Sequence, residues 1–147
     1  MGLTPLEGLM MGTRSGDVDG GALTFIQDKL GLDSAGLSNL LNKKSGVLGI
    51  TGISSDMRDI DAAATNGDKK AQLALQMYFY RIKKYIGAYA AAMGGVDVIV
   101  FTAGVGENQA SMREAVCENM EFLGIKLDKE INSKIHGDRP TENAELH

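Results

Sequence analysis

Arg14 stands between Gly12 and Gly16 in the stretch LTPLEGLMMGTRSGDVD, and no acidic residue follows it before Asp17. Glycines so placed mark a backbone that turns tightly or lets another group come close. A guanidinium held in such a turn without a carboxylate is suited to receive an anion, because its planar fork offers several donors at once. A second stretch, FTAGVGENQ at 101–109, sets Gly104 and Gly106 between an apolar run and a helical pattern. There the glycines let the backbone approach a ligand, and the N–H groups opening the next helix favour negative charge. The third glycine of the dinucleotide fingerprint is missing, with Gln109 in its place, and no Walker A sequence occurs. A plain tight turn between strand and helix fits that stretch equally well.

The third stretch, SSDMRD at 54–59, leaves two readings of Arg58 open. It pairs with Asp59 or Asp61 on a solvated face, or it packs its flat guanidinium along a base. Asp17 and Asp19 are spaced like metal ligands but read more economically as turn formers in a glycine loop. His136 and His147 have no partner in the sequence, and Cys117 lies beside an apolar helical stripe, where packing is the simpler role. Tyr78, Tyr80, Tyr85 and Tyr89 wrap around one helix instead of forming a stacking surface.

These residues need elements to hold them. Residues 22–31 and 34–44 read as two short helices, the second capped by Ser34 and stopped at Ser45-Gly46. VLGITGISSD reads as a short buried strand entering a loop, after which Ser54 or Ser55 caps a helix with Asp56 in its first turn. The longest helix is expected from Asp68 to Met93, with Leu75, Phe79, Ile82, Ile86, Tyr89 and Met93 as one apolar stripe. VDVIVFT at 96–102 has the strongest strand character, and its apolarity on both faces predicts a central strand covered by helices. A glycine turn follows at 103–107. The next helix is expected over 108–123, with Met112, Val116, Met120 and Leu123 inward and Gly124 ending it. Residues 138–147 read as a disordered polar tail. Helix, strand, glycine turn and helix in this order predict an α/β fold, with ligands at the carboxyl ends of strands.

Composition bounds the rest. A chain of 147 residues with 44% hydrophobic and 23% charged content is that of an ordinary globular domain. Its net charge of −4 speaks against nucleic acid as a partner. One cysteine excludes an internal disulfide and a cysteine zinc site, which suits a reducing cytoplasm. No apolar run is long enough to span a membrane, and the opening residues lack the pattern of a signal peptide.

Taken in order, the three stretches resemble the signatures of the acetate kinase family, shared with the closely related propionate kinases. MGLTPLEGLMMGTRSGDVD resembles the family signature itself. SSDMRD is similar to its S-N-D-F-R-D segment, and FTAGVGEN to its F-T-G-G-I-G-E-N adenosine motif, up to about Gly137. The resemblance implies an RNase H-like domain of the actin, Hsp70 and sugar kinase superfamily, with a mixed sheet flanked by helices. It implies transfer of the ATP γ-phosphoryl group to acetate, reversibly and with Mg²⁺, in a cytoplasmic homodimer. Propionate as the acceptor, or a dimerisation scaffold without turnover, are the alternatives. Arg14 aligns with the arginine that steadies the phosphoryl group. Asp56, Met57 and Arg58 align with residues around the adenosine, and Gly104, Val105, Gly106, Glu107 and Asn108 with the turn under the nucleotide. Two departures stand out: Ala103 replaces the first glycine of the usual pair, and Met57 replaces a phenylalanine. The resemblance also implies that residues 1–137 are a nucleotide-side, C-terminal domain truncated at both ends. The metal and acetate ligands then lie mainly outside this chain, which is expected to be inactive alone.

Overall fold

The computed structural model describes residues 1–137, and the tail expected over 138–147 lies outside them. Two compact units divide the chain, Met1–Ile82 and Lys83–His147. In the first, an irregular opening segment precedes α1 (Gly20–Leu30), α2 (Ser34–Lys43), α3 (Gly46–Thr51), α4 (Met57–Thr65) and the first half of α5 (Lys69–Met93). Acidic side chains start most of these helices. Asp19 accepts from the Ala22 N–H, Asp33 from Gly36 and Asp68 from Ala71, each taking one of the amide protons a helix start leaves without a partner. The cap of α2 is therefore Asp33, not Ser34. Likewise Asp56 is itself the cap of α4, while the Ser54 hydroxyl accepts from the Asp56 N–H one step earlier.

The core of this unit joins Met10 from the opening segment to Val47, Ile60, Ala71, Ala74 and Leu75, with Ile50, Met57, Tyr78 and Phe79 packed against it. Val47 and Ile60 are fully enclosed. The apolar stripe of α5 is buried at its start and fades toward its end: Leu75 is buried, Phe79, Ile82 and Ile86 are half-buried, and Tyr89 and Met93 are exposed.

The strand expected in VLGITGISSD is a helix instead. The Gly49 and Gly52 N–H groups bond back to the carbonyls of Ser45 and Leu48, and the Thr51 hydroxyl turns inward to the Val47 carbonyl. Local helical bonding overrides the β-branched character of the stretch because those residues bury their apolar side chains equally well from a short helix.

The second unit contains the end of α5, then α6 (Ala103–Asn108), α7 (Ala110–Cys117), a 3-10 turn at Glu121–Leu123 and α8 (Lys129–Lys134). Residues 96–102, expected as the central strand, are not part of any ladder, and no strand occurs among the described residues. The mixed sheet is accordingly absent from them. A strand exists only through a neighbouring backbone, and no segment among the described residues pairs with this one. Val98 and Val100 consequently stand 74% and 73% exposed. The helix expected over 108–123 is broken twice, at Gln109 and after Cys117, where Asn119 takes a left-handed conformation. Its inward face survives the breaks, with Met112, Val116 and Met120 all buried. No helix of the described residues is long and apolar enough to cross a membrane.

Candidate functional site

The Arg14 loop is built by backbone bonds to a segment far along the chain. Met11 N–H donates to the Arg14 carbonyl at 3.1 Å and closes the turn. Ser15 N–H then donates to Leu41, the Thr13 hydroxyl to the Asn42 carbonyl at 2.8 Å, and Ser45 N–H to Thr13. The buried Gly16 ends the loop with φ 68°, packed so closely that a methyl group would lie 2.5 Å from the Met10 nitrogen. Gly12 faces the Ser55 carbonyl, where a methyl would come within 2.6 Å. The structure thereby brings the loop of Arg14 and the SSDMRD segment side by side.

On this scaffold the Arg14 side chain is half-buried, and among the described residues its one bond is to the Met11 thioether at 3.5 Å. A thioether is a weak acceptor, and none of the ion pairs of the described residues involves Arg14. The guanidinium is left able to take an anion.

Arg58 is held quite differently. Its Nε and Nη2 grip both oxygens of Asp56, the shortest contact being 2.6 Å, while its own N–H donates to the same carboxylate. The partner is Asp56, not Asp59 or Asp61. The guanidinium beside it holds the Asp56 carboxyl down at about 2, and Arg58 is raised in return. With 91% of its side chain exposed, the Arg58 plane is fixed at its edge and open on its faces. Met57, between Asp56 and Arg58 in sequence, packs against the core cluster.

In the second unit the glycine turn is the short helix α6. Gly104 has open space around it, whereas Gly106 is buried against the Phe101 backbone. Val105 and Glu107 are half-buried, and the Asn108 amide bridges the Gly104 carbonyl and the Gly137 N–H. Ala103 adopts φ 60°, a left-handed conformation that costs an alanine about 1 kcal/mol and a glycine almost nothing.

Sequence reasoning missed what supports this turn. Arg113 is only 5% exposed and carries no carboxylate partner among the described residues. It donates to the carbonyls of Gly106 and Glu107 at 2.8 Å, to the Asn132 side chain at 2.6 Å, and to the Asn132 and Ile135 carbonyls. Asn132 in turn donates to the Ala110 carbonyl. One guanidinium thus ties α6, α7 and α8 together, and its burial lowers its pKa. The sequence did hold a signal: Arg113 lies on the same helical face as Val116 and Met120, with neither position 109 nor 117 acidic.

The remaining candidates have structural roles or none visible. Asp17 accepts from the Gly8 N–H at 2.6 Å, and Asp19 caps α1. Cys117 is buried, which raises its thiol pKa. His136 is exposed, and His147 lies outside the described residues. No three His, Cys, Asp or Glu side chains gather among the described residues, so these residues do not fit a magnesium ion by themselves.

The acetokinase family model matches residues 1–145. The chain is 70% identical over 138 residues to the acetate kinase of Bacteroides thetaiotaomicron, a match covering 94% of this chain and 35% of that protein. The crystal structure of Porphyromonas gingivalis acetate kinase superposes with a TM-score of 0.91 at 64% identity, over 93% of this chain and 34% of that one. A propionate kinase from Francisella tularensis gives a TM-score of 0.85 at 42% identity, over 91% and 35%. The chain therefore spans about a third of the length of the relatives it matches.

Two outcomes are expected from the site's geometry. Arg113→Ala leaves several buried carbonyls without donors and is expected to cost about 3 kcal/mol or more in chemical denaturation. Arg113→Lys recovers only part of this, since a point charge cannot serve the carbonyls of both α6 and the α8 end at once. For Asp56 the folded pKa is depressed, so its contribution to stability is present above its ordinary value of 3.8 and is lost as pH falls toward about 2. The stability difference between wild type and Asp56→Asn should therefore narrow between about pH 7 and about pH 2.5 in urea denaturation.

Proposed function

This chain belongs to the acetokinase family, and we propose that it is the nucleotide-side segment of an acetate kinase. In that reaction the bond from the ATP γ-phosphorus to its bridging oxygen breaks, a bond to an acetate carboxylate oxygen forms, and ADP and acetyl phosphate result. The reading rests above all on Arg14, a guanidinium on a rigid loop with no carboxylate partner among the described residues. Phosphoryl transfer spreads charge over three equatorial oxygens, and catalysis is mostly positioning and electrostatic stabilisation of that charge. Arg14 is assigned to those oxygens, and its fork suits them better than an ammonium would.

Asp56, Met57 and Arg58 are assigned to the adenosine, with differentiated parts. Arg58 offers an open guanidinium face to the base, Asp56 fixes that face edge-on, and Met57 supports the segment from the core. Gly104, Val105, Gly106, Glu107 and Asn108 are assigned to the nucleotide turn. There the space around Gly104 favours close approach of a ligand, and Gly106 serves the packing of the turn itself. Mg²⁺ is assigned to ligands outside residues 1–137, together with the acetate pocket. In the whole protein, residues 96–102 join the mixed sheet of an RNase H-like domain, and the enzyme is a cytoplasmic homodimer without nucleic acid or membrane partners. Acetate is preferred over propionate as the acceptor because the relatives of higher identity are acetate kinases.

Calorimetric titration of the chain with Mg-ADP and Mg-ATP, beside Arg58→Ala, tests the nucleotide assignment. Binding by the wild type and roughly ten-fold weaker binding by the variant is expected, in line with loss of a cation–π contact. Equal affinity of the two removes Arg58 from the site. The 147-residue chain by itself is expected to form no acetyl phosphate from ATP and acetate when the product is trapped with hydroxylamine. Turnover by the pure chain would overturn the assignment of essential groups to the rest of the protein.

A further inference from the structure

We infer that Gly46 is a positioning residue for Arg14, acting through the first turn of α3. The inference rests on the reading of Arg14 as the group that meets the phosphoryl oxygens. The opening N–H groups of a helix need acceptors from outside it. In α3 no side chain caps them, because the Ser45 hydroxyl donates to the Leu40 carbonyl instead. The Arg14 loop takes the place of a cap: Val47 N–H donates to the Met11 carbonyl at 3.0 Å and Leu48 N–H to the Gly12 carbonyl at 2.8 Å.

For those carbonyls to reach α3, the loop must pass directly over the α-carbon of residue 46. A methyl group at 46 would lie 2.2 Å from the Met11 carbonyl oxygen, 2.8 Å from that of Arg14 and 3.0 Å from the Arg14 nitrogen. All three are backbone atoms, which no side-chain rotation can move aside. Gly46 is also buried, so the clash cannot be relieved toward solvent. Any side chain at 46 must lift residues 11–14 away from α3 and carry the Arg14 α-carbon with them.

The same helix supplies its own control. Gly52, at the other end of α3, has φ 69° against 62° for Gly46, yet nothing lies within 4 Å of a methyl placed there. Alanine at either position meets the same left-handed backbone cost, but only at 46 does it meet the loop.

The test compares ¹⁵N-labelled wild type, Gly46→Ala and Gly52→Ala by NMR without nucleotide, reading backbone amides and arginine Nε–H signals, with that of Arg14 identified by its loss in Arg14→Lys. Gly46→Ala should move the Arg14 Nε–H signal and the amides of residues 11–15, and speed exchange of the Val47 and Leu48 amides by roughly ten-fold or more. Gly52→Ala should lower thermal stability while leaving the Arg14 signals in place. Unchanged Arg14 signals in Gly46→Ala, or equal movement in both variants, overturn the inference. Should Gly46→Ala fail to fold, wild-type exchange decides: the Ser15, Ser45, Val47 and Leu48 amides are expected to be protected together, and free-amide rates at Val47 and Leu48 overturn the clamp. Because no nucleotide is present, a failure of the kinase reading leaves this outcome unaffected, and the nucleotide titration tests that reading separately.

Discussion

The loop that carries Arg14 is held through its backbone and, among the described residues, not by a carboxylate on its guanidinium. That constraint organises much of the first unit. The carbonyls of Met11, Gly12 and Thr13 are all bonded to N–H groups of residues 45–48, and Ser15 is bonded to Leu41. Glycine is needed where these chains cross, at Gly46, because a side chain there would strike the backbone of Met11 and Arg14. The core beneath, with Met10 and Val47 in one cluster, keeps the two segments in register.

The protein solves three arginine problems in three ways. Arg14 is left open above a rigid turn. Arg58 is locked edge-on by Asp56, so that the lost freedom of a long side chain is incurred before any ligand arrives. Arg113 is buried and bonded almost wholly to carbonyls, serving as a structural bolt. The difference lies in what surrounds each guanidinium: a thioether, a carboxylate or a set of peptide oxygens. Residue type alone does not separate an open arginine from a structural one.

Much of the first unit was legible because its signals are local. Alternation of caps and apolar periodicity located α1, α2, α4 and the start of α5 to within a residue or two, and the lack of an acidic neighbour after Arg14 pointed to its open state. What failed was whatever depends on a distant partner. The stretches 47–53 and 96–102 share β-branched composition, yet one is partly a helix closed on itself and the other is irregular, in no strand. Composition cannot tell these apart, since strand formation is a property of two segments. Ser54 and Ser55 lost the cap of α4 to Asp56 because a carboxylate one position later also serves Arg58. For Arg113 the sequence marks only its inward helical face, because most of its acceptors are peptide carbonyls, which residue type does not reveal.

The bond from the Thr13 hydroxyl to the Asn42 carbonyl spans 29 residues, and the bonds to α3 reach further still. The placement of Arg14 is therefore not encoded in its own neighbourhood in time. During synthesis the signature stretch leaves the ribosome as a bare peptide with its guanidinium unplaced. Only after Leu48 has followed it out can the loop close, so the most recognisable segment of this chain takes up its folded shape on the arrival of residues that carry no signature at all.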